Sequence, residues 1–440
     1  MTKEIAMKNR RIIKRFIVLC YISLFLLTFL FRNYAKNVYF YEESEKAITK
    51  AIAQQLGKKP AMLNDNDYLI IESISLGNSK LTDLIPLIKC KNLKSLNIIK
   101  LEPSAPKTIH IKGVYARLRR HLGLTNTYFK HPVFHPVDIK SLIKLNNLEY
   151  LCIKSRQIKR FRTISKLKNL KSLILEQTKI RDIWQLRELN QLHTLQIDEP
   201  NIRDITPLAN INTLRNLSIT SSKISDLSPL SNLSNLQVLS LNHINVKDIS
   251  PLAKLTNLQE LNIDSLRIND ISPLEKLKLN SLNLVNLKID DYFPLTKLAT
   301  LKDLDLLASN IININLLFNL PTLRKLTLQK TQIRNLTPLE KLTNLEYLDL
   351  TGISINDLTS ISKLIKLQTL NLSNTKVINI RPLSKLQNLQ VLHLGETPVS
   401  NFSPLQEITS LRELVLRGHY YNNKSLDALK KKNPKLWIHD

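Results

Sequence analysis

The chain has 440 residues, with 64 Lys and Arg against 36 Asp and Glu, and a formal net charge of +28. Three cysteines are too few for a disulfide framework, and no cysteine or histidine spacing matches a zinc site. With seven glycines, no phosphate-binding loop and no nucleophile elbow, the composition offers no catalytic constellation; neither an enzyme nor a cofactor or metal site is expected.

Residues 1–15 carry Lys3, Lys8, Arg10, Arg11, Lys14 and Arg15 against Glu4, and read as a basic cytoplasmic tail. Residues 16–31 then run without a charge. As a helix they span about 24 Å at ~1.5 Å per residue, against a hydrocarbon core of about 30 Å. Ile12 and Ile13 extend the apolar face, and Arg15 and Arg32 can snorkel to headgroups. Tyr34, Tyr39, Phe40 and Tyr41 give the juxtamembrane segment 32–41 an interfacial aromatic cluster. A cleavage site wants paired small residues, and Ala35 follows Tyr34 and Asn33. A lipoprotein signal wants a small residue before its cysteine, whereas Cys20 follows Leu19. The segment therefore reads as an uncleaved transmembrane signal anchor of a single-pass membrane protein. The positive flank stays cytoplasmic and the rest is periplasmic or extracellular.

Residues 42–73 form an expected N-terminal cap, with Ile48, Ala51, Ile52 and Leu56 on one helical face and Gly57 as the stop. From 74 to 418 one unit recurs. In Leu239–Leu261, Leu239 and Leu241 alternate with polar residues as in a short strand, Asp248-Ile249-Ser250-Pro251-Leu252 turns the backbone, and Leu252, Leu255 and Leu258 follow at helical or 3₁₀ spacing. From Leu151 to Leu414 every step is 22 residues except one of 21, between Leu261 and Leu282. Pro86, Pro207, Pro229, Pro251, Pro273, Pro294, Pro338, Pro382 and Pro404 share one slot, where a fixed φ stops the strand. Lys144, Lys166, Lys254, Lys276, Lys297, Lys341, Lys363 and Lys385 share another, on the outer side. One unit cannot bury its own core, so neighbours must stack. Residues 419–440 form an expected C-terminal cap, a helix from Ser425 followed by a strand-like Leu436-Trp437-Ile438.

This pattern resembles the 22-residue class of leucine-rich repeats found in bacterial internalins and in a protein-phosphatase regulatory subunit. The resemblance implies an α/β solenoid: an arc with parallel strands on its concave face and helical caps, here joined to one N-terminal transmembrane helix. It also implies protein-protein interaction. The cysteine-rich caps of animal extracellular members are missing, which fits a bacterial origin. The family's asparagine after the strand is replaced by Thr178, Ser222, Thr331, Thr375 and Thr397, or by Ile244, Leu266 and Ile353. Hydroxyls can replace part of an asparagine ladder between coils; aliphatic side chains cannot.

Two stretches qualify for partner binding. The insert at about 101–136 gathers Arg117, Arg119, Arg120 and four histidines among Tyr115, Tyr128, Phe129 and Phe134, residue types that are common at interface hot spots. The other is the strand face. Its flanking positions hold Glu176, Asp198, Glu260, Asp264, Asp303, Asp305, Asp349 and Glu413, against Lys154, Lys325 and Arg417. That acidic excess, in a basic chain, suits a basic protein segment or polyamine-like ligand. Both stretches have plain alternatives, a packed irregular loop and acids paired with neighbouring lysines. The net charge also leaves open a second function, binding of anionic envelope polymers or lipid headgroups; nucleic acid is not the expected partner.

Overall fold

The computed structural model describes residues 42–77, 81, 83–101, 136–155, 157–220, 222–418 and 423–439. They fall into two compact units, Met1–Asn169 and Leu170–Asp440. Segments 1–15, 16–31 and 32–41 lie outside the described residues, as do Ile109 to Ile111, Arg117, Arg119, Arg120 and the rest of the insert from 102 to 135. Among the described residues no helix is long and apolar enough to cross a membrane.

In the first unit the helix α1 covers 42–55 and buries Ser44, Ile48, Ile52 and Ala53. Gly57 follows at φ +65, a left-handed conformation that suits glycine and ends the helix. The short helix α2 (Asp65–Leu69) starts at a capping box in which Asn64 and Asp67 satisfy each other's backbone N–H. Asp67 is held below the usual carboxylate range, first by Lys58, whose Nζ lies 2.5 Å from its Oδ1. Three strands, Ser73–Gly77, Ser95–Leu101 and Tyr150–Ser155, pair in parallel. The insert separates the last two in sequence, yet Leu96 faces Leu151 and Ile98 faces Ile153, so the sheet advances by one repeat step. The register slips only between Ile98 and Leu101. Val137–Asp138 pairs separately with Ile158–Lys159.

The second unit is a solenoid. Strands recur from Ser172–Glu176 to Trp437–His439, each parallel to the next with the strand leucines facing one another. Leu239, Leu241, Leu252, Leu255 and Leu258 are all fully buried, and their equivalents in other coils repeat this. Between strands the chain forms 3₁₀ turns such as Ser250–Lys254, with Pro251 at the start. Five residues cannot sustain α-helical i→i−4 bonding, whereas i→i−3 bonds close at once. Leu255 N–H bonds Leu252 O at 2.9 Å in this way. The shared lysines Lys254, Lys297, Lys341, Lys363 and Lys385 end these turns. The chain closes with α3 (Asn423–Lys432) and the strand Trp437–His439, which pairs with Glu413–Val415.

Of the hydroxyl slot, Thr178 bonds across to Glu199 of the next coil, but three other positions do not build the expected ladder. Thr331, Thr375 and Thr397 donate within their own coil, to Leu328, Leu372 and Leu394 carbonyls at 2.6–2.7 Å. The inter-coil ladder sits instead just before each strand. Asn235, Asn257, Asn344 and Asn388 amides donate to Asn212, Ser234, Pro321 and Ile365 carbonyls of the preceding coil, at 2.8 Å in each case. A third set of polar groups caps the 3₁₀ turns: Asp204, Asp226, Asp248 and Asp270 each accept the N–H two residues on.

A left-handed residue follows the strand in coil after coil, including His243, Ser265, Ala308, Lys330, Gly352, Asn374 and Glu396 at φ +53 to +72. Among the described residues, the coil at Glu199 departs from this. Pro200 restricts the residue before it, and Glu199 instead turns inward and is fully buried. Its carboxylate accepts from the N–H and hydroxyl of Thr178 and from Lys179 N–H at 2.9 Å. Burial pushes this carboxyl above the usual range, against those hydrogen bonds.

Candidate functional site

Strand residues alternate between core and surface, and in the second unit every strand presents its polar side on one face. Because the register has no offset, the outward-facing residues, most of them half-buried, line up in columns with neighbours about 4.8 Å apart. The first column runs Glu260, Ser281, Asp303, Lys325, Tyr347, Thr369, Val391, Glu413, Trp437. The second runs Asn262, Asn283, Asp305, Thr327, Asp349, Asn371, His393, Val415, His439. The third holds Glu176, Asp198, Thr220, Asn242, Asp264 and Val285.

The acids on this face therefore separate into groups. Glu176 and Asp198 pair across adjacent strands. Glu176 Oε1 takes a hydrogen bond from Gln196 at 3.2 Å. Glu260 and Asp264, Asp303 and Asp305, and Asp349 lie on alternate coils in the middle, and Glu413 stands near the C-terminal edge. Two of them already serve the backbone. Asp305 accepts Leu307 N–H at 2.9 Å, and Asp349 accepts the N–H and hydroxyl of Thr351 at 2.9 and 2.6 Å. Asn371 does the same for Ser373. These side chains divert N–H groups from the ladder, and the strands there are three residues long, against five in earlier coils.

Around Asp305 and Asp349 charge and aromatic surface converge. Lys325 Nζ stands 5.0 Å above the Tyr347 ring. Burial first, then the charge of Asp349, pushes the Asp305 carboxyl up, while Leu307 N–H and Lys325 oppose it. Burial followed by the two acids likewise raises the Tyr347 hydroxyl. His393 is pushed down by burial, against Glu413 and Asp349. Further along, His439 Nε2 lies 3.1 Å from Glu413 Oε1, and Trp437 packs over His439 with ring centroids 4.2 Å apart. Trp437 is 66% exposed. Counting charges alone passes over Tyr347, His393 and Trp437, although each occupies a strand-flanking slot visible in the repeat.

A second feature lies toward the start of the unit. Ser240, His243, Asn262, Asp264, Asn283 and Val285 line a concavity of about 350 Å³ on the same face. Asp264 Oδ1 accepts from Ser265 at 2.7 Å and Asn286 at 2.9 Å, and its Oδ2 is 3.6 Å from His243 Nε2. Asn283 Oδ1 is buried with no hydrogen-bond partner among the described residues.

Comparison with known proteins agrees with the repeat. The family model described as "Leucine Rich repeats (2 copies)" matches residues 234–276, 321–365 and 365–407. No curated protein matches the chain in sequence. Among solved structures, a leucine-rich repeat protein of Leptospira interrogans is 22% identical, with a TM-score of 0.63, covering 86% of this chain and 97% of its own. An internalin of Listeria monocytogenes is 24% identical, with a TM-score of 0.55, covering 84% and 94% respectively. A plant peptide hormone receptor, RGFR1, in complex with RGF2 is 16% identical, with a TM-score of 0.50 and coverage of 82% and 61%. Stacked parallel strands, buried repeat leucines and this match show a leucine-rich repeat fold. Its 22-residue repeats are similar to those of the internalin.

Proposed function

We propose that the chain is a binding protein without catalytic activity, and that the exposed face of the sheet in 170–440 receives a protein segment. The observation that carries this is the grouping of Lys325, Tyr347 and exposed Trp437 in one column, set among Asp303, Asp305, Asp349 and Glu413. Aromatic anchors beside mixed charge, on strands held in one hydrogen-bonded sheet, are the composition of an interface hot spot. An acidic excess in a chain of net charge +28 favours a basic segment. The receptor for RGF2 shows the same fold in complex with a partner.

The reading includes attachment. Residues 16–31 anchor the chain in the membrane, and the repeats stand outside the cytoplasm. Its support is the uncharged run and the basic flank before it.

Both parts are testable. Full-length chain is used to capture partners from envelope extracts, with Tyr347→Ala, Trp437→Ala and a deletion of 103–136 alongside. Retention lost in the two point variants, with unchanged circular dichroism, supports the sheet face. Retention lost only on deletion moves the site to Arg117, Arg119 and Arg120. Binding of anionic polymer through the lysine column would weaken steeply with salt and ignore both point variants. A reporter active only outside the cytoplasm, fused after Asp440, works if the anchor reading holds, and cytoplasmic activity removes it.

A further inference from the structure

We infer that the pocket between α1 and α2 in the first unit receives the phosphate headgroup of an anionic membrane lipid. This rests on the reading that residues 16–31 anchor the chain, and it adds a second, specific lipid contact on the N-terminal cap. The pocket has a volume of about 640 Å³, within the range of small-molecule sites. Lys46 and Lys50 of α1 and Lys58 just after it line the pocket, against one acid, Glu45. An anion therefore meets an excess of ammonium groups there.

What is left open there is donor capacity. Tyr68 is only 9% exposed and lines the pocket, yet its hydroxyl has no hydrogen-bond partner among the described residues. Its ring is already engaged, with Lys89 Nζ 5.1 Å from the centroid. Lys58 is held by Asp67 at 2.5 Å and Lys46 stands 4.0 Å from Glu43, whereas Lys50 has no ion pair or hydrogen bond among the described residues. The charged oxygens of a phosphodiester accept from an ammonium and a hydroxyl alike, and the charge strengthens both bonds. Ala53 and Pro60 add apolar lining, which suits the glycerol and upper acyl methylenes that a lipid carries and free phosphate lacks. The turn of Pro60 and the helix of Tyr68 also expose Met62, Leu69 and Ile70, at 66%, 38% and 64%, side chains that a bilayer interface favours over water. Ten residues, 32–41, join the uncharged run to α1, so at ~3.6 Å per residue the helix starts within about 36 Å of that run.

The test places full-length chain, labelled with 3-fluorotyrosine, in phosphatidylcholine nanodiscs with rising shares of phosphatidylglycerol. Tyr68→Phe identifies the Tyr68 fluorine signal by removing it. That signal is expected to move saturably with phosphatidylglycerol, and to stay in place when zwitterionic phosphatidylethanolamine is added instead. Lys50→Gln should raise the phosphatidylglycerol share needed for half the shift about fivefold. Lys254→Gln, the same loss of charge in the second unit, should leave it unchanged. An unmoved Tyr68 signal overturns the assignment, and so does an equal response to phosphatidylethanolamine or an equal weakening by Lys254→Gln. Inorganic phosphate that moves Tyr68 as far in pure phosphatidylcholine nanodiscs overturns the lipid as the source of the phosphate. The reporter fused after Asp440 reads the anchor separately. Pocket binding that fails while that reporter works overturns the pocket alone, and a cytoplasmic reporter overturns the anchor whatever the pocket does.

Discussion

Replacing Glu199 tests whether a buried acid holds two coils together. Its carboxylate takes the N–H and hydroxyl of Thr178 and the N–H of Lys179, at a position fully shielded from solvent. Glu199→Ala leaves these donors without partners. At about 1–3 kcal/mol for each well-buried orphan, the variant should lose about 3–6 kcal/mol. Glu199→Gln keeps one acceptor oxygen but turns an amide toward Lys179, and should lose about 1–2 kcal/mol. Urea unfolding followed by circular dichroism reads the global change, and amide exchange at Thr178 and Lys179 reads the local one. The pH dependence is distinctive. Burial raises this carboxyl in the folded state, so the folded chain holds the proton at pH values where the unfolded chain has lost it. The contribution of this group therefore grows as pH falls through its folded pKa and is complete below the ordinary carboxylate value. Glu199→Gln should flatten that rise. A Glu199→Ala chain that unfolds within about 1 kcal/mol of the parent, with unchanged exchange at both amides, refutes the reasoning.

Other outcomes follow from the repeat. Ala308 sits at φ +53, where a non-glycine residue costs about 1–2 kcal/mol. Ala308→Gly should recover about 0.5–1 kcal/mol after the entropy of glycine is counted, and Gly352→Ala in the same slot should lose a similar amount; both are read as denaturation midpoints. Asn257→Ala removes one inter-coil bond of 2.8 Å and should cost about 0.5–1.5 kcal/mol, measured the same way. Leu252→Ala opens a cavity in a fully buried site and should cost about 2–5 kcal/mol. His393 is held below its ordinary value of 6.5, so its share of stability is present above that value and is lost as pH falls through it toward the folded pKa. His393→Gln should remove that acid-side loss, as followed by melting temperature between neutral and mildly acidic pH.

Much of the solenoid is legible in sequence because stacking imposes one rule on every coil. Leu239, Leu241, Leu252, Leu255 and Leu258 must be apolar to close the core, and Pro251 must end the strand, so spacing alone places strand, turn and core. The exposed columns follow as well, since alternation along a strand leaves no choice of face. Polar partners obey no such rule. Asp305 and Asp349 look like free surface charges in a list of slots, but their carboxylates cap backbone N–H groups two residues away. The ladder expected after the strand lies before it, because Asn257, Asn344 and Asn388 meet a carbonyl of the preceding coil while Thr331, Thr375 and Thr397 meet their own.

The sequence by itself determined the period, the register and the buried set, because these depend on side-chain type at fixed intervals. Only the tertiary structure decided which polar groups are already satisfied and which remain open. Asp264 and Asn286 are 22 residues apart in sequence and become hydrogen-bond partners when one coil settles on the next, and Glu199 finds Thr178 by the same step. Hydrogen-bond satisfaction depends on distances between coils, which composition and spacing do not contain.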